Sequence, residues 1–302
     1  MSRLRPLAHR LRLAWTLWRT GGSAAVTGHA LARLQARLGV DDLQKRVEGM
    51  RGAVSTWAFT SWVEQATLDP GPLVSVVLPT HNRAALLPRA VASVRAQAYP
   101  TWEIVLVDDG STDDTEAVVE MLQGELGPDR LRSIRVPPAG VCAARNHALA
   151  SAKGSLIAYL DDDNTMHPLW LKVVAWGFAQ RPDVDVVYGG VVVDDLLRVN
   201  RRDAGALPSY HVNEFDRGRL ASMNLADMGA IAHRRGLAEA RFDETLREMG
   251  DWDLLVRLTR DKAPLVLPAI ACFYHTDSPN RLSGGPTFKA DGRRVRTRAG
   301  AP

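Results

Sequence analysis

From Leu73 onward, short apolar runs rich in β-branched residues alternate with stretches whose apolar residues recur every three or four positions. The first run, Leu73–Leu78, is closed by Pro79 and predicts a strand. Ala84–Gln97 then predicts a helix with Leu87, Val91 and Val94 on its inner face. Glu103–Val107 and Leu131–Val136 predict two further strands, with a helix over Thr115–Gly124 between them. Val141–Ala152 predicts a helix leading into a fourth strand at Ser155–Leu160. This order predicts an α/β fold, a mostly parallel doubly wound sheet with helices on both faces. Ligands of such sheets bind beyond the carboxyl ends of the strands, so the polar clusters after Leu78, Val107 and Leu160 should converge on one site.

The second half is less periodic. A strand is expected over Val184–Val193, interrupted at Gly189-Gly190, and the polar stretch Asp194–Ala221 reads as an irregular, mobile loop. Met228–His233 is a short apolar segment, Trp252–Thr259 a helix and Leu265–Tyr274 the last strand. Beyond Ser283 the chain turns basic and is expected to be disordered. Asp69-Pro70-Gly71-Pro72 is a strong stop and sets the boundary of an N-terminal extension. The expected organisation is therefore a basic helical extension over 1–70, a domain over 71–284 and a tail over 285–302. The domain divides into halves at 71–170 and 171–284.

Charge changes the picture at the ends. Met1–Val40 carries seven Arg and no acid, with Leu4, Leu7, Leu11, Trp15 and Trp18 at helical spacing. Such a helix can lie on an anionic membrane surface through residues 1–20, or pack its apolar stripe on the domain. No run is long enough to cross a bilayer, and no signal-peptide core is visible. Two cysteines, Cys142 and Cys272, argue against a disulfide framework and for a cytoplasmic location, at the inner face of a membrane if the basic helix binds one. A hydrophobic fraction of 46% over 302 residues allows one large core or two small ones. Nothing interleaves aromatic with basic residues in the manner of a nucleic-acid surface.

The chemistry lies at the predicted strand ends. Leu156–Asn164 ends in three consecutive carboxylates, Asp161, Asp162 and Asp163. One of them could cap a helix over Thr165–Gly177. Three together suit a hard cation, Mg²⁺ or Mn²⁺, that prefers oxygen ligands and leaves room for substrate phosphates. Pro79-Thr80-His81-Asn82-Arg83 brings a hydroxyl, an amide and a guanidinium to the first strand end. Asp108-Asp109-Gly110-Ser111 offers a carboxylate to a base N–H at the second. Gly140–Asn146 opens a helix with small residues, where Arg145 can pair with diphosphate oxygens or with a surface acid.

Four blocks together carry a resemblance: Val76–Arg83, Glu103–Asp113, Ala143–Asn146 and Leu160–Asp163 resemble the ordered motifs of family 2 glycosyltransferases. That resemblance implies the GT-A fold, a nucleotide-binding half joined to an acceptor-binding half. It implies a nucleotide-diphosphate sugar as donor, an acceptor hydroxyl, and an inverting, metal-dependent reaction. By resemblance Pro79, Thr80, Asn82 and Arg83 line the nucleotide pocket and Asp109 contacts the base. Asp161 and Asp162 belong to the donor site, Asp161 and Asp163 form the Asp-X-Asp motif on the metal, and His275 is a third ligand. Asp251, in Met249-Gly250-Asp251-Trp252-Asp253, resembles the catalytic base of a Glu-Asp-Trp-Asp block, with Gly250 in place of the Glu and Asp253 as the other possible base. Asn224–Asp227 and His233-Arg234-Arg235 resemble the acceptor-side segment. A sugar nucleotidyltransferase would need a Gly-rich, Lys-bearing loop after the first strand, and a dehydrogenase a Gly-x-Gly-x-x-Gly there; neither is present. A transferase homologue that binds nucleotide or a partner without catalysis remains the alternative.

Overall fold

The computed structural model describes residues 56–68, 71–194, 209–275, 285 and 287–300. The basic segment over 1–20 lies outside them. A helix over 56–65, α1, is followed by β1 (Val74–Thr80), α2 (Leu87–Arg95), β2 (Trp102–Asp108), α3 (Thr115–Leu126) and β3 (Leu131–Arg135). Next come α4 (Val141–Ser151), β4 (Leu156–Tyr159), β5 (Thr165–Met166), α5 (Trp170–Gln180) and β6 (Val186–Asp194). The chain continues through β7 (Ser209–His211), α6 (Arg217–Ser222), β8 (Ile231–Arg234), α7 (Gly250–Leu258), β9 (Leu265–His275) and α8 (Phe288–Ala299).

The strands form one sheet in the order β3-β2-β1-β4-β8-β6-β9-β5, with β7 on the flank of β6. β1 to β4, β6 and β9 run one way, and β5, β7 and β8 run against them. Both faces of the central strands are covered, as their near-continuous apolar sequence requires. Val74, Val76, Leu78, Ile104, Leu106, Leu156 and Ala158 pack with α2 and α5 on one face. Val77, Val105, Val107, Ile157 and Tyr159 pack with α4 and α7 on the other. The two-residue period of a strand sorts one sequence into two cores.

Several boundaries differ from the sequence expectation. The described residues 56–68, ahead of the Asp69–Pro72 stop, belong to the same compact unit as the domain. The reason is aromatic: Phe59 and Trp62 of α1 meet the Trp176 ring of α5 edge-on, at centroid distances of 5.3 and 5.0 Å. The stretch expected to be an irregular loop contains β7 and α6 within its described part, and α6 is capped by Asp216, whose side chain accepts from the Arg219 N–H at 2.7 Å. Gly189 and Gly190 do mark an irregular register between β6 and β9. A Cβ at Gly189 would come within 2.8 Å of the Trp170 ring, and one at Gly190 within 2.6 Å of Tyr210.

The largest correction concerns the tail. Residues expected to be disordered form α8, which buries Asp291, Gly292 and Val295. The side chain of Asp291 accepts hydrogen bonds from the backbone N–H groups of Arg247 and Glu248, both at 3.0 Å. Glu248 in return accepts from the Gly285 N–H at 3.0 Å and the Thr287 hydroxyl at 2.8 Å. The tail is thereby latched to the loop that leads into α7. Asp291→Ala is expected to destabilise the protein by about 1–3 kcal/mol for each backbone donor left unpaired. An unchanged urea midpoint for this variant would show that the latch contributes nothing.

Candidate functional site

A cleft of about 1220 Å³ runs along the carboxyl ends of β1, β2 and β4 and is closed on the far side by residues around α7. Pro79, Thr80, Asn82, Arg83, Asp109, Arg145, Asp161, Asp162, Asp163 and Asp251 all line it. Residues up to 172 positions apart in sequence thus meet in one place, as the strand-end rule anticipates.

The carboxylate triplet is tolerated because arginines divide it. Asp162 is buried; the Thr80 hydroxyl donates to it at 2.7 Å and Arg83 Nη1 approaches at 3.3 Å. Burial pushes its carboxyl up to about 7, while Arg83 and the Thr80 hydroxyl pull the other way. Asp163 takes Arg83 Nη1 at 2.6 Å, and Asp161 takes Arg145 Nη2 at 2.6 Å. The middle carboxylate is a structural pin, and the two outer ones each keep an oxygen outside these ion pairs. Helix α5 begins at Trp170 with no side-chain cap, so none of the three is an N-cap.

Arg145 sits in the first half of α4 and is almost fully buried. Its guanidinium lies 5.4 Å from the Phe242 ring centroid, and its Nε is buried without a hydrogen-bond partner. Asp251 occupies the first turn of α7. Its Oδ2 accepts from Asn224 Nδ2 at 2.8 Å and its Oδ1 from the Trp252 N–H at 2.8 Å. Burial raises its pKa, opposed by the Trp252 N–H and by Arg145. Asp253, the other possible base, does not line the cleft. It is 1% exposed, held by Arg257 Nε at 2.9 Å and by Arg298 of α8. The geometry therefore separates the two acids: one faces the cleft, the other anchors the tail.

Gly250 is explained by space. A Cβ there would lie 3.0 Å from the Cys142 sulfur and 3.6 Å from the Phe242 ring, so any larger residue requires the Cys142 side chain to give way by a few tenths of an ångström. Asp109 does line the cleft, but both its oxygens already hold the loop that opens α4, accepting from the Ala139 and Gly140 N–H groups at 2.7 and 2.8 Å. Asn82, in the left-handed region at φ 53°, accepts from the Thr112 N–H at 2.7 Å and so ties the first strand-end loop to the second.

His275 packs on the two residues that follow the carboxylate triplet. It lies outside the cleft lining, with Nε2 3.1 Å from the Thr165 hydroxyl and its N–H on Asn164 Oδ1 at 3.1 Å. Among the described residues, no three His, Cys, Asp or Glu side chains gather as a metal-holding set. Asp161 and Asp163 have the oxygen chemistry that a hard divalent cation takes, and both line the cleft. Asp227 is a residue whose part in the site the sequence marked only loosely. It lines the cleft, and its carboxyl is pushed up to about 7 by burial and by the negative charges of Asp161 and Asp251.

Comparison with known proteins finds the family and the fold. The family model described as glycosyl transferase family 2 matches residues 75–239, more than half of the chain. A PGL/p-HBAD biosynthesis glycosyltransferase of Mycobacterium bovis is 32% identical over 189 residues, covering 62% of this chain and 69% of the relative. Among solved structures, S. aureus TarS 1-349 in complex with UDP-GlcNAc aligns with a TM-score of 0.59 at 21% identity, over 75% of this chain and 66% of that one. The mannosyltransferase PcManGT from Pyrobaculum calidifontis, in complex with GDP-Man and Mn²⁺, aligns with a TM-score of 0.53 at 22% identity, over 84% of this chain and 71% of that one. The shared architecture is the GT-A-like α/β fold.

Proposed function

The chain belongs to the family 2 glycosyltransferases, and from that premise we propose that it transfers a sugar from a nucleotide diphosphate to an acceptor hydroxyl with inversion at the anomeric carbon. One observation carries the reading: Asp161 and Asp163 line one side of a single cleft, Asp251 lines the other, and Arg145 is paired to the first of them. The nucleotide lies over Pro79, Thr80, Asn82 and Arg83. Asp109, whose oxygens keep accepting capacity beside their two backbone bonds, meets the base. The structures of TarS with UDP-GlcNAc and PcManGT with GDP-Man lend support to a nucleotide-sugar donor.

Asp161 and Asp163 would hold Mg²⁺ or Mn²⁺, which when bound supplies positive charge to the leaving diphosphate. Arg145 supplies a permanent cation on the same wall, buried where its charge is little screened. Asp251 accepts the proton of the acceptor hydroxyl as the oxygen attacks the anomeric carbon. The C–O bond to the diphosphate breaks on the opposite face, and its electron pair leaves with the diphosphate. The acceptor is an alcohol of a polysaccharide, a lipid carrier or a secondary metabolite. Among the described residues no helix is long and apolar enough to cross a membrane. The Arg-rich residues 1–20 would supply contact with an anionic membrane at its cytoplasmic face.

Thermal unfolding tests the donor site directly. UDP-GlcNAc or GDP-Man with Mn²⁺ is expected to stabilise the protein by about 2.7 kcal/mol when present at a hundred times its dissociation constant. Asp163→Ala is expected to remove most of that shift. If neither nucleotide sugar moves the transition with Mn²⁺ present, the donor assignment fails.

A further inference from the structure

We infer that the acceptor is an amphiphile: next to its reacting hydroxyl it carries an apolar ring or chain, which lies against a methionine-rich wall at the mouth of the cleft. The large exposed apolar side chains among the described residues are Trp57, Trp62, Met121, Met223 and Phe288. Met223 and Phe288 belong to one site, because both line the cleft, at 46% and 43% exposure. They come from different places in the chain, just after α6 and at the first residue of α8. Met249, on the loop into α7, completes the wall, with the buried rings and chains of Trp252 and Met228 also in the lining.

Exposed apolar side chains that converge from separate elements on one concavity mark a binding surface. Here they stand beside the polar groups that would handle the hydroxyl. Asn224 and Asp251 are hydrogen-bonded to each other at 2.8 Å and share the same lining. Methionines adapt to an irregular apolar shape. Phe288 is placed by α8, which lies beyond the 75–239 stretch that the family model matches. Phe288 and Met249 thus add apolar surface from beyond the matched stretch to that of Met223 and Met228 within it.

The inference rests on the glycosyltransferase reading above, and its test separates the two. Protein carrying ¹³C-methyl methionine, with UDP or GDP and Mn²⁺ present, is titrated with methyl, phenyl and hexyl β-D-glucoside, which share a head group and differ only in the apolar part. The phenyl and hexyl compounds are expected to shift the Met223 and Met249 methyl signals, assigned by single substitution, and to bind at least about tenfold more tightly than the methyl compound. Phe288→Ala is expected to weaken phenyl and hexyl binding by about tenfold while the nucleotide-induced shifts persist, which also reports a folded donor site. Equal binding of all three glucosides, no binding of any, or an unaffected Phe288→Ala variant would overturn the amphiphile assignment. Failure of the nucleotides themselves to shift any signal would instead overturn the donor reading.

Discussion

Asparagine in place of Asp251 is expected to lower kcat by about a hundred- to ten-thousandfold and leave the affinity for nucleotide and Mn²⁺ where it was. The substitution keeps the shape of the side chain, so the Asn224 and Trp252 contacts, both 2.8 Å, have a partner of the same size. What disappears is the capacity to take a proton. Calorimetric titration of the nucleotide together with single-turnover transfer distinguishes lost chemistry from lost binding. The parent's pH dependence gives a second reading of the same group. A base works when deprotonated, and burial raises this carboxyl. The acid limb of kcat should therefore lie above the ordinary aspartate value of about 3.9. Asp253→Asn supplies the contrast, because that acid is enclosed by Arg257 and Arg298: it should cost stability and leave the acid limb in place. A parental transfer rate in Asp251→Asn would remove this residue from the chemistry.

The first half of the fold was legible because its information is local. β1, β2 and β4 are short apolar runs ended by polar residues, and the strand-end rule then brings Thr80, Asp109 and Asp161 to one edge without any knowledge of distances. The tail was not legible for the opposite reason. Its five basic residues against one acid read as a solvated segment, yet Arg298 pairs with Asp243 and Asp253, more than forty residues away, and Asp291 holds the backbone at 247 and 248. No window of sequence contains those partners. The same limit applied within the site. Asp109 reads as a wholly open acceptor, yet each of its oxygens already takes one N–H, from Ala139 and Gly140 thirty residues on, and only the remaining capacity is left for a ligand. Gly250 looked like a lost acid; beside Cys142 and Phe242 it is the residue that fits without moving the Cys142 side chain. Motifs located the wall of the cleft, and packing decided what each side chain on it can do.

Methionine in place of Arg145 should have the second large effect, because this one cation compensates several acids. Its Nη2 pairs with Asp161 at 2.6 Å, and its charge also favours ionised Asp227 and Asp251. Removing one member of a buried ion pair typically costs about 3–5 kcal/mol, far more than the pair's net contribution, since the remaining charge stays desolvated. Asp227 and Asp251, which burial already raises, can escape that cost only by taking up protons. Their pKa values in the folded variant would then stand further above those of the unfolded chain, so the folded state binds more protons than the unfolded one, and stability must rise as the pH falls. The expected result is a loss of stability that is largest near pH 8 and shrinks toward pH 5.5, read from urea unfolding at the two pH values. Donor binding should weaken as well, because Asp161 loses the partner that holds its carboxylate toward α4. Arg145→Lys keeps the charge without the planar fork, so it should recover part of the stability and little of the donor affinity. Equal midpoints for parent and Arg145→Met at both pH values would mean that Asp161, Asp227 and Asp251 are not compensated through this residue.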